Sequence, residues 1–220
     1  MPPSQHAPDG LKTPKAAAVA GILFSVLLLS ALVLVLQTLR VHPQDPGDWV
    51  GAQSWKVALA LNLIPFAGIA FLWFMGVLRD RLGAQENRLF ETVFLGSGFL
   101  FIGMLFVAAA AIGAILLTHA ARPGELAGSL TFTLARSFAY NLASIYAMKV
   151  SSVFLITAST IVLRTGITAR WTAFAGYAAA TVILFGSHLV DWTFLVFPVW
   201  VLIVSCDILV REYRHAGSSA

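Results

Sequence analysis

The stretch TVFLGSGFLFIGMLFVAAAAIGAILLT (92–118) runs without a single charged side chain. A helix needs roughly 20 apolar residues to cross the hydrocarbon core of a bilayer, and this run exceeds that. Its apolar residues are continuous rather than alternating, which argues against a half-buried strand or a lipid-facing barrel strand. It reads as a membrane-spanning helix, and the rest of the chain falls into place around it.

Five further segments read the same way. Ala16 to Leu36 and Val57 to Leu78 are uncharged, and Asn141 to Leu163 carries only Lys149. Trp171 to Ser187 is uncharged but short, and Trp192 to Val210 carries only Asp207. The expected fold is all-α: a polytopic membrane protein built as a bundle of six transmembrane helices, with spans at about 16–38, 56–78, 89–118, 141–163, 171–188 and 191–210. These lie within one domain, 14–214, between ends expected to be disordered (1–13 and 215–220). The composition agrees, with 59% hydrophobic and 11% charged residues, where a soluble domain carries about 25% charge.

Orientation follows from the basic residues. With the N-terminus in the cytoplasm, the inner side holds Lys12, Lys15, Arg79, Arg81, Arg88, Arg164, Arg170, Arg211 and Arg214. The outer side holds Arg40, Lys56, Arg122 and Arg136. That bias predicts a multi-pass membrane protein with both termini in the cytoplasm. The net charge of +4 is then a matter of topology and anionic lipid rather than nucleic acid. The apolar run after Lys15 is too long for a signal-peptide core and lacks a small-x-small cleavage site, so the first span is expected to stay.

Small residues mark close helix packing: Gly96, Gly98, Gly103, Gly113 and Ala108 to Ala111 in the third span, Gly176 and Ala180 in the fifth, Ala17 and Gly21 in the first. Pro65 and Pro198 each remove a backbone donor and should kink their helices. Asn62, three residues before Pro65, is placed to satisfy part of that defect. An inverted transporter repeat would put matching breaks in the second and fifth spans, and the fifth has no proline.

Lys149 is the one cation inside a span. On a helical wheel Asn141, Tyr146, Ser152, Ser159 and Thr160 fall within about 80° of it, a polar stripe along the fourth span. It lies about 12 Å below Asn141, close enough to the outer boundary for its stem to snorkel there. The turn GSHLVDW (186–192) puts His188 and Asp191 on the same side, with His119 and His42. The candidate ligand-binding set is therefore Lys149, Asp191, His188, Tyr146, Ser152 and Asn62, centred on a Lys149–Asp191 ion pair. A snorkelling lysine above an ordinary polar turn is the alternative. On the inner side, Asp207 and Arg211 form an i,i+4 pair, and Glu91, Asp207 and Arg88 are candidates for a gate.

Catalytic and metal-binding patterns are missing. Cys206 is the single cysteine and excludes an intramolecular disulfide. There is no paired-carboxylate motif, Ser/His/Asp arrangement or H-E-x-x-H helix. No catalytic residue, metal or cofactor is assigned.

The stretches LRTGITARW (163–171) and LVFPVWVLIVS (195–205), with weaker echoes in LRDRLG and TVFLGSGFLF, resemble segments of uncharacterised bacterial six-span integral membrane proteins. The resemblance covers roughly the last third of the chain. In that pattern a proline often precedes the Arg-Trp pair, where this chain has Ala169. It implies the six-span fold and brings no activity. The expected function is an accessory or structural subunit of a larger membrane assembly, with the lipid bilayer and other membrane proteins as partners. The alternative is a small transporter or ligand-binding protein taking a small anionic or amphipathic ligand at the outer site. A membrane enzyme comes third.

Overall fold

The computed structural model describes residues 14–38, 53–80, 88–122, 124–126, 128–186 and 192–217. The segments 1–13, 39–52, 81–87 and 218–220 lie outside these, as do His42, His188 and Asp191. The described residues are helical, without a strand. Seven helices follow in order: α1 (Pro14–Thr38), α2 (Ser54–Asp80), α3 (Arg88–Ala121), α4 (Leu130–Asn141), α5 (Met148–Thr165), α6 (Arg170–Gly186) and α7 (Thr193–Gly217). A π-helical turn, Leu142–Ala147, joins α4 to α5. Five stretches are long and apolar enough to cross a membrane: Lys15–Thr38, Ser54–Asp80, Leu89–Ala121, Leu130–Thr165 and Thr193–Arg214. The chain is thus a helical bundle suited to a bilayer.

Neighbours in sequence pack as neighbours in space, and α7 returns to α1 to close the ring. Adjacent helices run antiparallel. Phe24 meets Phe71 while Gly21 lies against Phe74. Gly68 sits by Phe106 and Gly98 by Met75. Thr172 meets Trp200 and Ala169 meets Asp207.

The centre of the ring is aromatic. Phe24 of α1, Phe71 and Phe74 of α2, Phe94 and Phe101 of α3, Phe154 of α5 and Phe197 of α7 are all buried. Phe71 is the hub, with ring centroids 4.6 Å from Phe24, 5.0 Å from Phe154, 5.7 Å from Phe197 and 5.9 Å from Phe101. Lipid tails are as apolar as these rings, so burial drives little association inside a membrane. Dispersion and edge-to-face geometry hold the helices together instead, at about 0.5–1.5 kcal/mol per aromatic pair. α6 contributes no ring to this set. It presents Ala173, Gly176 and Ala180 to the bundle and so lies close against its neighbours.

A second cluster lies at one end, where Val57 of α2, Ala108, Ile112 and Ile115 of α3, and Phe132 and Ala139 of α4 pack together with Leu126. There α3 and α4 form a hairpin. Ser129 caps α4 by accepting a hydrogen bond from the Phe132 N–H at 3.1 Å. Residues 130–141, ahead of the expected fourth span, extend that helix rather than turn away from it. α4, the π turn and α5 make one continuous stretch of 36 residues, about 54 Å long against a hydrocarbon core of roughly 30 Å. At the opposite end α5 stops at Gly166, whose φ of 64° is the left-handed C-cap conformation that a side chain disfavours. The ends are called here the hairpin end and the turn end.

Candidate functional site at the hairpin end

The polar stripe of α5 is divided by the edge of the bundle. Ser152 and Ser159 are fully buried, whereas Lys149 is exposed and Tyr146 is 58% exposed. Val153 and Ile156 continue the exposed line, so Lys149 stands on the outer face of the bundle. On the wheel, Tyr146 and Thr160 lie on one side of Lys149 and Ser152 and Ser159 on the other. The packing seam with the neighbouring helices passes between the two groups.

The buried hydroxyls are mostly committed to their own helix. Ser152 donates to the Lys149 carbonyl at 2.6 Å and Ser151 to the Met148 carbonyl at 2.7 Å. This back-bonding is how hydroxyls are satisfied where no water reaches. Thr160 and Tyr177 share a hydrogen bond of 2.7 Å that ties α5 to α6. Lys149 makes no ion pair among the described residues. His119 also belongs to this end, and its Nδ1 is buried without a partner among them.

The other candidates are dispersed. Asn62 is exposed on α2, which α3 separates from α5 in the ring. Its amide donates to the Ala58 carbonyl at 2.8 Å, so it does not reach the Leu61 carbonyl that Pro65 leaves free. Pro65 and Pro198 both lie inside continuous helices. Gly98 packs against Met75 and Phe154, and Gly176 against Ser159 and Trp200. Gly96 and Gly103 are exposed, with nothing near the Cβ they lack.

At the turn end the carboxylates have neighbours of their own. Glu91 pairs with Arg79, joining the start of α3 to the end of α2. Asp207 accepts from Arg211 Nε at 2.9 Å and from the Ala169 N–H at 2.8 Å. The pair with Arg211 was legible as an i,i+4 spacing. The bond to Ala169 was not, because it spans 38 positions. It places a carboxylate on the N–H of the residue just before α6, where the helix dipole favours negative charge. Trp200 Nε1 donates to the Thr172 carbonyl at 3.0 Å, one turn further along the same seam. Two cation–π contacts also escaped sequence reading: Lys15 lies 5.5 Å from the Tyr213 ring and Arg164 5.9 Å from the Phe90 ring. Glu91 and Asp207 are thus held by separate partners and share no described ion pair, as a gate would require. The side chain of Arg88 lies outside the described residues.

This arrangement offers an outward-facing cation with a phenol one turn beyond it, and no gathered nucleophile among the described residues. Among the described residues no group of three or more His, Cys, Asp or Glu comes together as a metal site would need. Comparison with protein-family models, with curated proteins and with solved structures found no match.

Proposed function

We propose that the chain is an accessory or structural subunit of a larger membrane assembly, a six-span bundle with both termini in the cytoplasm of a bacterial inner membrane. The observation that carries this reading is the aromatic centre. Rings from five helices meet within 4.6–6.2 Å of one another, on the axis where a carrier with a central path would place polar groups and water. The projecting α3–α4 hairpin supports it too. Its outward side chains Leu117, Leu130 and Leu134 are exposed, beyond the length that a bilayer core accounts for.

Purification of the tagged full-length chain from its native membrane in mild detergent, followed by mass measurement of the intact particle, tests the reading. A stoichiometric complex with other membrane proteins is expected. Recovery of a monomer alone, at endogenous expression, overturns it.

A second reading is a small transporter or ligand-binding protein with an outer site at Lys149, His188 and Asp191. Its support is that Lys149 has no ion-pair partner among the described residues. Transport in proteoliposomes that is abolished by Lys149→Met would favour this second reading over the first.

A further inference from the structure

We infer that Lys149 and Tyr146 bind the phosphate of an anionic phospholipid in the leaflet at the hairpin end. Lys149 faces outward from the bundle on the same line as Val153 and Ile156, which are apolar and exposed. A cation on that face meets lipid rather than a protein cavity. Arg164 ends α5 at the turn end, 15 positions away, which puts Lys149 about 22 Å from that boundary. In a core of roughly 30 Å it begins near the acyl–headgroup border of the far leaflet.

Side chains on a helix lean toward its N-terminus, and the N-terminus of α5 points to the hairpin end. The four-carbon stem therefore carries the ammonium up to the headgroups, where it needs an anion. Tyr146 stands one turn closer to the headgroups on the same face, with its ring exposed. That is the position tyrosine favours in a membrane, ring in the acyl border and hydroxyl in the polar layer. Ammonium and phenol thus offer donors to one phosphate from adjacent turns. Lys56, Arg122 and Arg136 also stand at this end. Arg122 is paired with Glu125 there, and Lys149 is the cation set within the outward-facing wall of α5.

The inference requires that the bundle span a bilayer and does not depend on the subunit reading, because its test uses the purified chain alone. The full-length protein is placed in nanodiscs of phosphatidylcholine, or of phosphatidylcholine mixed with phosphatidylglycerol, and retained lipid is measured by native mass spectrometry. Lys149→Met should lower phosphatidylglycerol retention about fivefold, the effect expected of one basic residue at an anionic surface. Phosphatidylcholine retention should not change. Lys149→Arg should keep the wild-type preference, and Tyr146→Phe should lose a smaller part of it. Wild-type retention in Lys149→Met overturns the inference, as does an equal loss of both lipids. Displacement by soluble glycerol phosphate as effective as by the lipid would assign the site to free anions instead.

Discussion

At the residue scale, two glycines lie hard against serines of a neighbouring helix. A Cβ on Gly21 would overlap Ser205 Oγ and crowd the Phe74 ring, and one on Gly176 would overlap Ser159 Oγ and crowd Trp200. These neighbours are short or rigid, so Gly21→Ala and Gly176→Ala should each cost about 1–3 kcal/mol through overpacking. Gly98→Ala should cost less, since Met75 can turn aside. Gly96 and Gly103 meet nothing, and alanine there should be neutral or stabilising by up to about 1 kcal/mol through helix propensity. Thermal unfolding in detergent separates the two groups, and equal losses at Gly96 and Gly176 would refute the packing argument. Ser159 and Ser205 have buried hydroxyls without a described partner, so alanine at either should stabilise the bundle by about 1 kcal/mol. Sequence reading found small residues but not which of them face a neighbour. In a span that is apolar all round, no polarity pattern marks the inner face. The polar stripe misled for a related reason: a wheel gives angles around a helix, and the seam that divides buried Ser152 from exposed Lys149 depends on where the next helix lies.

At the element scale, the loop between α5 and α6 is fixed by a residue far along the chain. Asp207 is mostly buried and binds both the Ala169 N–H and Arg211. Asp207→Ala leaves that N–H without its acceptor and should destabilise by about 1.5–3 kcal/mol, the range for hydrogen bonds to a charged group. Asp207→Asn keeps an acceptor and should lose less; an asparagine as damaging as alanine would mean that the N–H bond contributes nothing. The continuity of α4 with α5 makes a separate prediction. Spin labels at Leu130→Cys and Thr165→Cys, in a Cys206→Ser background, should lie about 50 Å apart along one axis. A distance nearer 35 Å would put α4 along the interface. The long apolar helices were legible because continuous apolar runs leave the chain no alternative to a helix in lipid. The reach of α4 was not, because LTFTLARSFAYN is short and polar enough to suit either course.

At the scale of the whole molecule, the ring order and the charge bias bear on the same question, whether α6 crosses the membrane. α6 has 17 residues, about 26 Å of helix against a core of roughly 30 Å. Thinning of the bilayer or snorkelling of its flanks accommodates that mismatch at modest cost. Its contacts favour a crossing. Ala169 and Thr172 meet Asp207 and Trp200 at the turn end, and Gly186 lies by Thr193 at the other, so α6 runs the length of its neighbours. The proposed topology then puts Glu125 outside and Arg214 inside. Single cysteines at Glu125 and at Arg214, in a Cys206→Ser background, distinguish the alternatives in intact cells. A membrane-impermeant maleimide should label Glu125→Cys directly and Arg214→Cys only after the membrane is opened. If both are labelled in intact cells, the number of crossings between them is even rather than the expected three. In that case α6 does not cross, and the excess of basic residues at the turn end no longer measures orientation.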